Sequence, residues 1–374
     1  MCVANSRGLS LTYPMTADGT DLFGQASALA SEGKSKDAAF LYRQLLEIQP
    51  QHLAAAQALA DLVARGDVAG DPAAACKAAI DIETGSIYSV AKTALNHERF
   101  DVALRCYRKI LDLDPEYEDA IWGLAEANYG NGDRKEALVW YRRYHDLFPD
   151  DPEAAHMVAA LGDGPKPVRA SDAYVKETFD NFAEDFDRQL LEDLEYKAPK
   201  LIYALFRDVS TGKDKNLAIL DAGCGTGLAG VEFKSHASSL IGVDLSPEML
   251  KLAEKRKIYD ELLQEELAAC MQARAGAFDL IVAADVFCYI GDLADTLAAA
   301  GVALRSSGRL IFSVEAQSKR GFSLTGSGRY AHKPAYIRKA AEKAGLREVS
   351  GRNENLRMEY GEPVKGYLTV LEKP

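Results

Sequence analysis

Residues 217–227 read LAILDAGCGTG. Leu217, Ala218, Ile219 and Leu220 make a short unbroken apolar run, the pattern of a strand covered on both faces. Asp221 stands at its carboxyl end, and Gly223, Gly225 and Gly227 follow at alternate positions. Glycine accepts positive φ and lets another group come close to the backbone. The stretch is either a tight strand-to-helix turn with nothing against it or the floor of a nucleotide-type crevice beyond a parallel strand. The flanking sequence has to decide between them.

The run is the first of four. LIGVDLS (240–246), FDLIVAADVF (278–287) and GRLIFSVEA (308–316) are further apolar stretches with helical patterns between them. That alternation points to parallel strands with crossover helices. Ser246 and Pro247 read as the N-cap and first turn of a helix. Two spacings narrow the ligand. The turn is GxGxG, whereas dinucleotide sites have GxGxxG, and Leu228 stands where that fingerprint has its third glycine. Asp244 ends the second strand, where an acid accepts hydrogen bonds from vicinal ribose hydroxyls. Both features fit an adenosine ligand without a pyrophosphate. The sequence has no GxxxxGK[ST], which argues against a nucleoside triphosphate.

With these motifs in place the sequence resembles the class I S-adenosylmethionine-dependent methyltransferases. LDAGCGTG (220–227) is similar to their first motif, IGVDLSPEMLKLA (241–253) to their second, FDLIVAADVFCYIGDL (278–293) to the one around the fourth strand, and GRLIFSVE (308–315) to the fifth strand. The likeness covers about residues 173–373. It extends to methyltransferases that carry tetratricopeptide repeats ahead of the catalytic domain, through YVKETFDNFAEDFDRQLLEDLEYKAP (174–199) and SGRYAH (327–332). The resemblance implies an α/β Rossmann-like domain over 173–374, a mostly parallel seven-stranded sheet, and S-adenosyl-L-methionine as cofactor.

It also implies roles. The turn residues Gly223, Cys224, Gly225 and Gly227 lie against the methionine moiety and ribose, and Asp221 holds the ammonium group indirectly. Asp244 takes the ribose hydroxyls, and Leu245 and Met249 flank the adenine. Glu266, with Leu267 beside it and Glu265 as its rival, stands where the family receives the adenine amino group. Asp285 faces the methionine end or the substrate, and Phe287 and Tyr289 continue the wall. Tyr174, Phe179, Phe182 and Phe186 form an aromatic helix face, read as a lid in which Tyr174 and Phe182 make the cofactor contacts. Tyr196 matches the aromatic that ends the lid segment.

Methyl transfer from a sulfonium is an in-line displacement, so alignment and exclusion of water dominate. A base helps when the acceptor is a hydroxyl, a carboxylic acid or a protonated amine. Glu315 and His332 are the candidate catalytic residues, the latter at the start of a helix over 332–345 with Pro334 in its first turn. Cys224 and Cys288 read as ordinary buried thiols.

The amino-terminal half repeats itself. GKSKDAAFLYRQLLEIQP (33–50), ERFDVALRCYRKILDLDP (98–115) and GDRKEALVWYRRYHDLFP (132–149) align, with Ala38, Ala103 and Ala137 at one position and Tyr42, Tyr107 and Tyr141 four residues later. Pro50, Pro115 and Pro149 close the units. The last two units are 34 residues apart, a period that resembles the tetratricopeptide repeat. A degenerate unit fits the gap, with helices at 53–65 and 72–80, and 151–161 reads as a capping helix. The expectation is a flexible tail over 1–19, a helical repeat domain over 20–162, a linker over 163–172, and the catalytic domain after it. Met15 is an alternative start. Such a repeat domain binds a peptide or protein partner in its groove, packs on the second domain, or makes a homodimer.

Charge and cysteines bound the rest. The formal net charge is −12. The first 165 residues carry 15 basic and 25 acidic side chains, the remainder 29 and 31, a poor footprint for nucleic acid. Six cysteines without a CxxC pair read as reduced thiols of a cytoplasmic protein, with neither a disulfide framework nor a metal site. The sequence shows neither a signal peptide nor a membrane span. The leading expectation is a methyltransferase acting on an O or N acceptor, a small molecule being favoured. The alternatives are a protein methyltransferase recruited through the repeat groove and a catalytically inactive adaptor.

Overall fold

The computed structural model describes residues 20–183, 186–188, 196–210, 215–359 and 362–374, apart from the side chains at 20, 21, 182 and 188. The expected tail over 1–19, with Met15, lies outside the described residues. The chain divides into two compact units, Met1–Asn131 and Gly132–Pro374.

The first unit is helical: α1 (Thr20–Ser31), α2 (Ser35–Ile48), α3 (Leu53–Ala64), α4 (Pro72–Asn96), α5 (Phe100–Leu113) and α6 (Glu118–Gly130). Each helix packs on the next. The repeat positions explain how. Ala38 and Ala103 are fully buried, and Tyr42 and Tyr107 nearly so. The Tyr107 ring occupies the space beside Gly123 of α6, where a Cβ would collide with it. Helices α2 and α5 stop two residues before Pro50 and Pro115, because the residue ahead of proline is pushed out of the helical region; Asp114 is extended. One expectation is corrected. The helix expected over 72–80 runs on to Asn96, since 73–96 contains no proline and Gly85 neither breaks the helix nor meets a neighbour.

The second unit begins with α7 (Arg134–Leu147) and α8 (Pro152–Leu161), followed by α9 (Asp172–Phe182), α10 (Phe186–Arg188) and α11 (Ala198–Val209). Then come β1 (Leu217–Ala222), α12 (Leu228–Phe233), β2 (Ala237–Asp244), α13 (Pro247–Lys255), β3 (Glu261–Gln264), α14 (Leu267–Gln272), β4 (Phe278–Ala283), α15 (Ala294–Ala303) and β5 (Leu304–Ala316). The chain ends with β6 (Phe322–Leu324), β7 (Tyr330–His332), α16 (Pro334–Lys343), β8 (Arg347–Glu359) and β9 (Glu362–Glu372). Seven strands run β3-β2-β1-β4-β5-β9-β8, all in one direction except β9, which pairs antiparallel with both β5 and β8. The expected seven-stranded Rossmann-like sheet is present, and a short β6–β7 hairpin joins the end of β5, making nine strands. The winding reverses between β1 and β4, so a crevice opens past their carboxyl ends.

Both faces of this sheet are covered. Leu220, Ile281 and Phe312 point into one core with Leu297 and Ile337. Their neighbours Ile219, Leu280 and Ile311 point into the other with Ile202, Phe206 and Phe233. That alternation is what an uninterrupted apolar strand requires.

The boundary between units falls 31 residues ahead of the end of the expected repeat domain at residue 162. The helix read as a cap is part of the second unit. In α8, Ala160 packs with Leu324 and Tyr330. His156 stacks on Tyr174 of α9 with ring centroids 4.1 Å apart, and its Nε2 is 2.7 Å from the Gly328 carbonyl oxygen. The stretch expected as a linker is also tied down. Gly291 and Asp292 donate their N–H groups to the Val168 carbonyl, Ala170 donates to Tyr289, and the Tyr330 hydroxyl donates to Pro167. Among the described residues no helix is long and apolar enough to cross a membrane.

Candidate active site

Beyond the ends of β1, β2 and β4 lies a cavity of about 320 Å³. Its floor is the glycine turn. Gly223, Gly225 and Gly227 all have positive φ, at 69°, 53° and 93°. The turn is held from β2: Gly223 and Cys224 donate their N–H groups to the Val243 carbonyl, and Gly225 donates to Asp244 Oδ2 at 2.8 Å. Asp244 Oδ1 accepts the Ser246 N–H at 3.0 Å. Burial holds the Asp244 carboxyl above its ordinary range against these donors. Gly223, Gly225, Asp244 and Leu245 all border the cavity. A Cβ on Gly225 would meet only Phe186, at 3.9 Å, so this backbone lies open to a ligand.

Asp221 sits under the turn, buried. Its Oδ2 accepts the Tyr259 hydroxyl at 2.6 Å, while Oδ1 is buried with no hydrogen-bond partner among the described residues. Burial pushes its carboxyl up to about 6, opposed by the Tyr259 hydrogen bond and reinforced by Asp244.

The walls come from several elements. Val175, Thr178 and Phe179 of α9, Phe186 of α10, and Tyr196 border the cavity, as do Cys288, Tyr289 and Ile290. Phe179 meets Tyr289 edge-on at 5.5 Å. Two latches hold this cover to the turn region: Ser246 donates to Asp180 Oδ1 at 2.6 Å, and Asp187 takes the Thr226 hydroxyl and the Arg256 guanidinium. Glu265, Glu266 and Leu267 form the far wall. Glu266 caps α14 through the Ala269 N–H and pairs with Arg169 at 3.4 Å, whereas Glu265 pairs with Arg274 at 3.1 Å.

The opposite end is charged. Arg357 of β8 is 1% exposed and pairs with Asp285 at 2.7 Å, with Glu359 at 2.7 Å, and with Glu315. Arg329, ahead of β7, pairs with Glu359 and lies 3.9 Å from Glu315. Burial lifts the Glu315 carboxyl, whereas Arg329 and Arg357 keep that of Glu359 below its ordinary range despite burial. Asp285 has a left-handed backbone, φ 58°, rare outside glycine; Ser313 takes its N–H at 2.9 Å and Arg357 its carboxylate.

Of the residues read from sequence, the cavity gathers Gly223, Gly225, Asp244, Leu245, Glu265, Glu266, Leu267, Asp285, Tyr289, Tyr196, Phe179 and Phe186. Others lie elsewhere. Gly227 packs on Arg256 and Tyr259. Cys224 is buried towards Gly242, its thiol pushed well up by burial. Met249 is wholly buried, its N–H donated to the Ser246 cap, and Phe287 packs on Phe312. Tyr174 faces His156 of α8, while its helix neighbours face the cavity. The Phe182 side chain lies outside the described residues. Neither of the two catalytic candidates, Glu315 and His332, borders the cavity. Glu315 is engaged by Arg357. His332 is fully buried in β7 with Nε2 3.0 Å from the Gly291 carbonyl oxygen, and burial drives its imidazole down to about 4. The sequence reading missed Arg169, Asp172, Arg329 and Arg357. Arg329 lies inside the quoted SGRYAH block; Arg357 carries no local signal.

The site fits an S-adenosylmethionine-type ligand on three counts. An acid ends β2 at the cavity, the open backbone of Gly225 lies in its floor, and a buried carboxylate oxygen with no hydrogen-bond partner among the described residues lies beneath the turn. Comparison with known proteins agrees with this geometry. Residues 220–312 match the family described as Methyltransferase domain, and residues 89–152 match the Tetratricopeptide repeat. The chain is 35% identical over 85 residues to methyltransferase-like protein 27 of Homo sapiens, covering 22% of this chain and 34% of that protein. It is 34% identical over 123 residues to malonyl-[acyl-carrier protein] O-methyltransferase of Halalkalibacterium halodurans, covering 31% and 45%. The chain thus spans less than half the length of either relative. Among solved structures it is similar to the 1,6-didemethyltoxoflavin-N1-methyltransferase of Burkholderia thailandensis, at 16% identity over 57% of this chain and 93% of that one, with a TM-score of 0.45. The chain carries a methyltransferase domain with tetratricopeptide repeats ahead of it.

Proposed function

We propose that the second unit is an S-adenosylmethionine-dependent methyltransferase acting on an oxygen or nitrogen of a small molecule. The observation that carries this reading is the placing of Asp244, Gly223 and the open backbone of Gly225 around a single cavity. Asp244 would receive the ribose hydroxyls, and Leu245 and Leu267 would flank the adenine, with Glu266 at its edge. Asp221 would act on the ammonium group through the turn. When bound, the cofactor supplies a methyl group on a positively charged sulfur, already activated for displacement.

The chain's own work is then to align and to exclude water. Phe179, Phe186, Tyr196 and Tyr289 provide the apolar cover, and the Asp180 and Asp187 latches hold it to the turn region. The cavity is near the lower end of the roughly 300–1,000 Å³ typical of small-molecule sites. Little space remains beside such a cofactor, which favours a small acceptor. An O-methyltransferase among the relatives agrees with an oxygen acceptor.

Calorimetry tests the reading. S-adenosylhomocysteine should bind and NAD should not, and transfer of labelled methyl from S-adenosylmethionine to a panel of small acids, phenols and amines should give product. NAD binding in its place would overturn the cofactor assignment; cofactor binding with no transfer to any acceptor would favour the adaptor.

A further inference from the structure

We propose that Tyr259 is a positioning residue for cofactor binding: three glycines seat its ring so that its hydroxyl fixes the Asp221 carboxylate beneath the turn. The inference rests on the reading of the cavity as the cofactor site. Tyr259 lies between α13 and β3, at a distance in sequence from the turn it supports. A Cβ on Gly227 would stand 3.1 Å from its ring, one on Gly242 3.0 Å, and one on Gly230 would collide with its hydroxyl. Those glycines come from the turn, from β2 and from α12. Only their missing side chains admit the ring, and the ring delivers its hydroxyl to Asp221 Oδ2 at 2.6 Å. Burial and the neighbouring Asp221 push the phenol far above its ordinary range, so it remains the donor of the pair.

The bond acts on the charge of Asp221. Burial and Asp244 favour the neutral acid, and hydrogen bonds from Tyr259 and, more weakly, from the Gly230 backbone favour the anion. The other ionisable groups around the pair are Cys224 and Tyr196, both raised by burial, and Arg256, which acts on Tyr259 from the end of α13. Tyr259 is thus the side-chain donor that favours the ionised form of a buried carboxylate and aims it, with its second oxygen left over.

The test is the Tyr259→Phe full-length chain, with the Asp221 carboxyl followed by carbon-13 resonance across pH 4–9 and assigned with Asp221→Asn. Loss of one hydrogen bond to a carboxylate should raise its midpoint by about one pH unit. Binding of S-adenosylhomocysteine should then weaken about fivefold at pH 6 and recover by pH 8, a pattern that general loss of structure does not give. Gly230→Ala, whose methyl group displaces the hydroxyl and crowds Asp221 Oδ2, should move the midpoint the same way. An unmoved midpoint in folded Tyr259→Phe, or a pH-independent loss of affinity, overturns the proposal. Movement of the midpoint with no cofactor binding by any form, wild type included, upholds the grip on Asp221 and sinks the cofactor reading instead.

Discussion

Burial moves Asp221 and His332 in opposite directions, and the two effects oppose each other in stability. Asp221 titrates near 6 in the fold against about 3.9 unfolded. Between those values the native state holds the extra proton, so stability falls as pH rises from about 4 to 6. His332 titrates near 4 in the fold against about 6.5 unfolded. There the unfolded state holds the extra proton, so stability rises over the same window. Each swing is about 3 kcal/mol. Urea unfolding from pH 4 to 6 should show His332→Gln losing stability as pH rises and Asp221→Asn gaining it, relative to wild type. Slopes parallel to wild type would show that neither group is buried as described. The readable residues of the site were those that a backbone requirement fixes: three glycines with positive φ, and an acid at a strand end. Helix spacing marks the aromatic face of α9 but not which neighbour each of its side chains meets. In the fold Met249 goes to the core and Tyr174 to α8, while Leu245 and Phe179 take the cavity.

At the scale of elements, the parallel strands were legible because apolar runs with helices between them have few alternatives. The three-residue strands β6 and β7 carry no such pattern, yet they bring Arg329 to the cavity. Arg357 was invisible for another reason: its partners Asp285 and Glu315 lie on other strand ends, 72 and 42 residues away. Removing it leaves three acids without their common cation. Arg357→Met should destabilise the protein by about 3–5 kcal/mol near neutral pH. The penalty should shrink as pH falls, since protonation relieves the unpaired carboxylates; a loss independent of pH would mean that packing, not charge, is what Arg357 supplies. Helix α8 gives a separate test. His156, Met157 and Ala160 cover Tyr174, Gly328, Leu324 and Tyr330, so a chain of residues 132–374 should be monodisperse and cooperative in unfolding. A chain of residues 166–374 leaves that apolar surface bare and should aggregate. Equal behaviour of the two would return α7 and α8 to the repeat domain.

For the whole molecule the question is what the first unit contributes. Residues 1–131 carry 11 basic and 18 acidic side chains, against 33 and 38 in residues 132–374, so the smaller unit holds more than half of the net charge. Every residue bordering the cavity belongs to the second unit. A chain of residues 132–374 should therefore bind S-adenosylhomocysteine within about twofold of the full chain, since deleting the first unit removes no residue from the site. Its turnover then reports on the acceptor. With a small molecule, as proposed, kcat/KM should stay unchanged, which leaves the acidic repeats for partner binding or assembly, visible as a change of mass in sedimentation. With a basic protein as acceptor, deletion should cut kcat/KM at low salt, and the deficit should narrow as salt rises, because attraction between exposed charges is screened beyond about 8–10 Å at physiological ionic strength. A deficit that persists unchanged at high salt would point instead to contacts of shape and apolar surface between repeats and acceptor. Cofactor affinity held constant in both chains is what separates these outcomes from damage to the site itself.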